Sequence, residues 1–460
     1  MRESTRGRRG KGTDMREKTR GRRAVLTLGT VVCMGALLGV VFATGFVRGT
    51  TATAATSTLK SDATASARTA ASQAASAAAS AAEATSAAAA SSSADADGSA
   101  SGMTMEEWAA LYPNEYRSYA EGTNKTDEGT NTYGNDWSHA AYKAKEDLYC
   151  EVVPYVLDGT CISCKTTDFN RLYDKYGDDV YTMPVKDMEG GDELTYFDCS
   201  VCHADSSSLA LEPGLASYKN LAGSHADDID AKVLVCGQCH NAIGQYGYSL
   251  TSDWGAKDAD PYRYGTSAEA LYRAYSEDGL LKADEATGAK LGAPDYSDLE
   301  MFLDSTHYNM GVTCVDCHAS TKTADDGTTY TDHNFVSPLA NDDTLARCLT
   351  CHEGRNGVQD AETMKDFYWN AEKDFAAQMD EAKAAHDKLG EALETATAKG
   401  VTGDAIDKAR EDYSEAHFYL AFCSSYNHDT DYRIAHNPTG LPELAEQAKT
   451  LCEEGLGLVA

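Results

Sequence analysis

Five pairs of cysteines, each separated by two residues, stand along the middle of this 460-residue chain: Cys161-Ile-Ser-Cys164-Lys165, Cys199-Ser-Val-Cys202-His203, Cys236-Gly-Gln-Cys239-His240, Cys314-Val-Asp-Cys317-His318 and Cys348-Leu-Thr-Cys351-His352. They use ten of the fourteen cysteines, and four pairs are followed at once by histidine. Two thiols at this spacing can each add to a vinyl group of one haem, and the next residue then lies under the ring as an axial ligand to the iron. With 12 histidines in the chain, chance would place one after four of five pairs with a probability on the order of one in a million. Zinc ribbons also use paired CxxC, but they need no such histidine. The pattern therefore predicts five covalently attached c-type haems.

CISCK departs from the other four. An amine binds iron only after losing its proton, which metal binding can drive, so Lys165 is a candidate axial ligand. The bland alternative is a decayed site. One haem ligated differently from four others is where a substrate is expected, which makes Lys165 the candidate catalytic residue. Haems that only transfer electrons need a second axial ligand. Eight histidines remain for that role: His139, His225, His307, His333, His386, His417, His428 and His436.

Around these motifs the chain divides in four. Residues 1–23 carry 10 Lys+Arg against 3 Asp+Glu and read as a cytoplasmic basic start. Residues 24–47 form 24 uncharged, mostly apolar positions, long enough for a membrane-crossing anchor, with a cleaved signal as the alternative. Either reading exports the body, so the haem domain is expected on the extracytoplasmic side of the cell membrane. Residues 48–102 read as a tether, because 61–102 hold 20 Ala and 11 Ser and no Val, Ile, Leu or Phe to bury. Residues 103–460 make up the haem domain. The formal charge is −32, and everything after residue 23 sums to −39, from 30 basic and 69 acidic side chains. Such a body repels phosphate backbones and excludes nucleic acid as a partner.

Strand signals are sparse and the expected class is mainly α, with helices and loops around the haems. Between Ala361 and about Ala398, Met364, Phe367, Tyr368, Phe375, Met379, Ala382, Leu389 and Leu393 recur at helical spacing. A turn over Lys399 to Asp404 leads to a second helix ending near Phe422. Core packing or a dimer seam explains that apolar stripe. Cys423 and Cys452 could form a disulfide, leaving Cys150 over, or remain buried thiols.

The order CxxCK and then four CxxCH, with CGQCH third, VTCVDCH fourth, TYTDH after it and HNP near the end, resembles the pentahaem ammonia-forming cytochrome c nitrite reductases. WAALYPNEYRSY, from Trp108, is similar to that family's opening segment, and the resemblance runs to Pro438. It implies second axial ligands from His139 on the third haem, His333 on the second, His307 on the fourth and His436 on the fifth. It also implies a homodimer through the C-terminal helices, an electron donor that is quinol-linked or otherwise, and a small-molecule acceptor. The pocket departs from the family pattern. There is no arginine between Arg117 and Arg171, Ala242 and Ile243 stand where the family has Glu-Tyr, and Lys290-Leu291-Gly292-Ala293-Pro294 stands where it has Lys-x-Gln-His-Pro. The Arg, Tyr and His of the pocket are thus absent, as are two side chains that hold calcium in the family, which makes calcium doubtful here. Lys143, Lys145, Tyr246, Tyr248 and Tyr296 are possible substitutes. Reduction of nitrite or a related small species at the Lys165 haem is the expected function, and a non-catalytic electron carrier feeding another exported reductase is the alternative.

Overall fold

The computed structural model describes residues 103–121, 125–126, 129–130, 158–191, 193–195, 197–244, 246, 260–294, 296–335, 337–424 and 433–459. The basic start, the apolar run 24–47, the 48–102 tether, His139, Lys143, Lys145, Cys150, Tyr248 and His428 lie outside the described residues. Among the described residues no helix is long and apolar enough to cross a membrane.

The haem motifs ride on short helices, and side-chain caps explain where several of these begin. In α1 (Met105–Leu111), Thr104 and Glu107 form a reciprocal capping box, and α2 (Pro113–Glu121) starts on a proline, whose missing N–H costs nothing in the first turn. Asp158 caps α3 (Gly159–Ile162), which contains Cys161, and α4 (Asp168–Tyr176) follows. After α5 (Ala216–Ala222) comes α6 (Ala231–Gly237), capped by Asp230, which delivers the third cysteine pair. Ser267 caps α7 (Ala268–Glu277). α8 (Asp298–Leu303) leads into α9 (Thr306–Asn309), where Ser305 is the cap. The fourth motif is itself a helix, α10 (Cys314–His318), held by a box between Thr313 and Asp316. The fifth ends α11 (Asp342–His352), capped by Asn341. Among the described residues strand is confined to three antiparallel two-stranded hairpins: β1 (Lys125–Thr126) with β2 (Gly129–Thr130), β3 (Lys282–Ala283) with β4 (Lys290–Leu291), and β5 (Thr321–Thr323) with β6 (Thr329–Thr331).

Close approach constrains glycines at two of the motifs. A β-carbon on Gly159 would lie 1.9 Å from the Val180 carbonyl oxygen, so the first motif abuts backbone directly. One on Gly237, inside the third motif, would meet the Leu299 side chain at 2.7 Å, where α6 crosses α8.

The C-terminal hundred residues hold a bundle of α12 (Ala361–Ala398), α13 (Asp404–Ser424) and α14 (Gly440–Val459). The first two agree with the sequence periodicity. On α12, Phe375, Met379, Ala382, Leu389 and Leu393 are at most 2% exposed and join one core with Ile406, Ala409 and Ala416 of α13. The stripe is therefore core packing within the chain, and each such leucine buried contributes about 2–3 kcal/mol. The extent of α14 was not read from periodicity. Its buried positions are Leu441, Ala445, Ala448, Cys452 and Gly455, a regular four-and-three spacing carried mostly by small residues. Small side chains are weak hydropathy signals, yet they let helices approach closely: a β-carbon on Gly455 would stand 2.9 Å from Leu389. The same core continues to Phe169, Tyr181, Tyr275 and Phe418, so side chains supply a substantial interior of their own.

Candidate metal centres

Three pairs of histidines, from distant parts of the chain, bring their rings near one another. His203 and His333 have ring centres 6.2 Å apart, His307 and His352 also 6.2 Å, and His318 and His436 6.4 Å. An iron about 2 Å from each imidazole nitrogen, with each nitrogen about 1.1 Å from its ring centre, would separate the rings by roughly 6 Å. Each pair includes the histidine of one CxxCH motif. Nine motif thiols are half-buried and Cys351 is exposed, whereas Cys423 and Cys452 are fully buried. The gaps and the thiols beside them fit haem. Among the described residues no three or more His, Cys, Asp or Glu are arranged to hold a metal ion directly, as a zinc ribbon requires.

Electrostatics favour the ligating form of four of these rings. Burial holds His203, His333 and His352 below the ordinary histidine range, and burial with the charge of His436 pushes His318 down to about 4. Neutral imidazole is the form that binds metal. Burial drives the Cys199 and Cys317 thiols up to about 12, unlike the depressed values of redox-active CxxC pairs.

Distant segments build each pair. The opening segment closes the second motif: Trp108 lies 6.2 Å from the His203 ring, Tyr112 donates to the Ser206 carbonyl, and Ser118 Oγ accepts the His333 amide at 2.9 Å. His333 leaves the β5–β6 hairpin just after buried Asp332, which pairs with Lys322 at 2.5 Å. The fourth and fifth motifs are tied by Arg347, which donates to the Asp316 carbonyl at 2.9 Å. His307 sits on α9, and Phe367 of α12 flanks His352 at 5.6 Å.

The family-derived pairing needs correction. His333 faces the second motif as expected, but His307 faces the fifth and His436 the fourth, the reverse of the expected order. His307 is close to the fourth motif in sequence, yet its Nδ1 bonds to the Ala435 carbonyl at 2.9 Å and its ring turns to His352. His139, expected opposite His240, lies outside the described residues.

At the third motif, His240 Nδ1 lies 3.2 Å from the Asp298 carboxylate, and His436 Nδ1 lies 3.3 Å from the same group. Arg433 donates to Asp298 at 2.6 Å. Burial alone would raise the Asp298 carboxyl, but Arg433 and the two imidazoles outweigh it and hold it well below the usual range. Sequence reasoning missed Asp298. Its only signal was an acid at the start of the apolar run Leu299, Met301, Phe302.

At the first motif, Lys165 donates to the Cys161 carbonyl, its own carbonyl accepts from the Phe197 amide at 2.8 Å, and Cys239 of the third motif reaches the Cys164 carbonyl at 2.9 Å. Ala242 and Ile243 are completely buried and Ala293 is exposed, so none supplies a polar group. The polar groups beside them are Tyr275, whose hydroxyl donates to the Ala242 carbonyl at 2.5 Å, and Glu300, also missed, which accepts the Ala242 amide at 2.9 Å and the Tyr262 hydroxyl at 2.5 Å. Burial raises its carboxyl to about 7. Of the suggested substitutes, Tyr246 is buried with its ring 5.2 Å from Tyr275, and Tyr296 lies edge-on to His240 at 5.8 Å.

The remaining histidines have other surroundings. His225 is near Asp260 and Tyr262, while His386 stacks on Tyr413 at 4.1 Å with His417 at 5.4 Å, inside the helix bundle. Cys423 and Cys452 are unpaired, so the disulfide alternative is not formed. Each fills a helix seam as a small apolar group.

Residues 150–455 match the model of the family described as cytochrome c552. Among curated proteins, the cytochrome c-552 of Desulfotalea psychrophila is 26% identical over 399 residues, 76% of either chain. The cytochrome c nitrite reductase subunit NrfA of Nitratidesulfovibrio vulgaris is 27% identical over 223 residues, 43% of this chain and 41% of that one. Among solved structures, a cytochrome c nitrite reductase from Desulfovibrio desulfuricans superposes with a TM-score of 0.59 at 18% identity, covering 77% of this chain and 85% of that one. That likeness establishes a shared fold.

Proposed function

This chain belongs to the cytochrome c552 family, and from that premise we propose that it is an exported oxidoreductase passing electrons along histidine-ligated haems to nitrite or a related small species at the haem of Cys161 and Cys164. The observation carrying this reading is the set of three facing histidine pairs at 6.2–6.4 Å beside a single motif that ends in lysine. Haem supplies one-electron redox chemistry and, where an axial position is open, a place for substrate to bind. The protein's own residues do the rest. The imidazoles of His203, His318, His352, His333, His307 and His436 would hold the irons, with His240 and His139 completing the third site. Lys165 would supply an amine ligand at the substrate site.

The pocket groups differ from those of the family. A cation to hold an anion and proton donors beside it would each speed a multi-electron reduction, but positions 242, 243 and 293 offer neither. Nor do Ala242 and Gly292 supply side-chain oxygens for calcium. Glu300, which accepts the Ala242 amide, is a proton-carrying group beside these positions, and its carboxyl, at about 7, changes charge near neutral pH. Those apolar positions also favour the second reading, a carrier that delivers electrons to another exported reductase.

The apolar run 24–47 acts as a membrane tether in this proposal, and high-salt washing should leave the protein in the membrane. A homodimer would use the outward side of α12, where Trp369 is 47% exposed. Haem-loaded protein supplied with an artificial reductant tests the function. Nitrite turnover is expected to be slower by about a hundredfold for each missing donor, with a small haem ligand binding at one haem. Rapid ammonium formation would show that other groups replace the family's trio. With every haem closed to the added ligand, the carrier reading would stand instead.

A further inference from the structure

We infer that Asp298 is a single carboxylate shared by the axial histidines of two different haems, and that it sets the reduction potentials of both. This rests on reading His240 and His436 as ligands. Asp298 is 8% exposed at the first position of α8. One of its oxygens lies 3.2 Å from Nδ1 of His240, in the third motif. The other lies 3.3 Å from Nδ1 of His436, a charge contact without hydrogen-bond geometry, and accepts a hydrogen bond from Arg433 at 2.6 Å; the His436 ring faces His318 of the fourth motif.

Three other candidate ligands provide an internal contrast. His203, His307 and His333 direct Nδ1 to neutral backbone carbonyls, of Leu209, Ala435 and Thr331 respectively. An Nδ1–H facing a carboxylate gains imidazolate character, binds iron as a stronger donor and favours the oxidised metal. The third and fourth haems are therefore held at lower potential than their ligand types alone would give. Arg433 limits the effect by countering the same carboxylate. Because two imidazoles draw on one anion, a perturbation of Asp298 reaches both haems together. Asp298 is a positioning and tuning residue that touches no substrate.

Potentiometric titration of full-length, haem-loaded protein, followed optically and by electron paramagnetic resonance, tests this. In Asp298→Asn, two midpoint potentials are expected to rise while the others stay. In Arg433→Gln, which keeps the carboxylate, the same two are expected to fall. Opposite shifts on the same pair are not produced by general loosening of the structure. Movement of one potential only, of none, or of all together overturns the inference. His436→Met separates this from the ligand reading. If every haem spectrum is unchanged in that variant, the ligand assignment fails. If one spectrum changes while Asp298→Asn moves no potential, the assignment stands and the inference falls. Should Asp298→Asn not accumulate with its haems, Arg433→Gln alone decides, and unchanged potentials there overturn the proposal.

Discussion

Replacing Glu300 with glutamine should remove a pH dependence of stability that this one buried carboxyl imposes. Glu300 is 1% exposed, and burial raises its carboxyl from 4.5 to about 7 despite hydrogen bonds from Tyr262 and the Ala242 amide. A group whose folded value is raised stabilises fully below its unfolded value and loses that contribution as pH climbs through the folded one. A rise of roughly two and a half pH units at about 1.36 kcal/mol each is about 3 kcal/mol, lost between about pH 4.5 and 7. The groups facing Glu300 do not obscure this. Tyr262 and Tyr218 are raised far above the window, and Asp298 is ionised throughout it. The assay is urea unfolding followed by circular dichroism from pH 5 to 8, on haem-loaded protein with and without Glu300→Gln. Haem propionates titrate in both proteins and cancel in the difference. The two stability curves should diverge towards high pH, the variant ending higher by about 2 kcal/mol once a weakened Tyr262 hydrogen bond is allowed for. Parallel curves, within about half a kcal/mol, would refute the reasoning.

His307→Met should alter the spectrum of the haem on Cys348 and Cys351 and leave that on Cys314 and Cys317 unchanged, which site-resolved spectroscopy can read. The reverse would restore the pairing expected from the family. Intact-mass measurement should give five haems, and Lys165→His should keep that number while changing the ligand-field bands of one; unchanged bands would remove lysine as a ligand. Leu389→Ala, at a fully buried position packed near Gly455, should cost about 2–5 kcal/mol in chemical unfolding without altering any haem spectrum.

Local chemistry decided what could be read from the sequence alone. A CxxCH motif is complete within five residues, so haem attachment at Cys199, Cys236, Cys314 and Cys348 follows from covalent spacing whatever the fold. The lysine after Cys164 marks its site as different in the same way. The long periodic helices were legible because large apolar side chains at Phe375, Met379 and Leu389 repeat with the turn of a helix, and α14 was less so because Ala445, Ala448 and Gly455 pack by smallness. What lies opposite each haem was left to tertiary structure. A second axial ligand comes from elsewhere in the chain, and several histidines satisfy the sequence equally well. Only packing turned His307 to His352 and His436 to His318. Asp298 and Glu300 were invisible for the same reason. An acid in a sequence is ordinarily solvated, and only the fold, by burying both on α8 and bringing Arg433, His240 and His436 to one and Tyr262 to the other, gives their charges an effect on the haems and on stability.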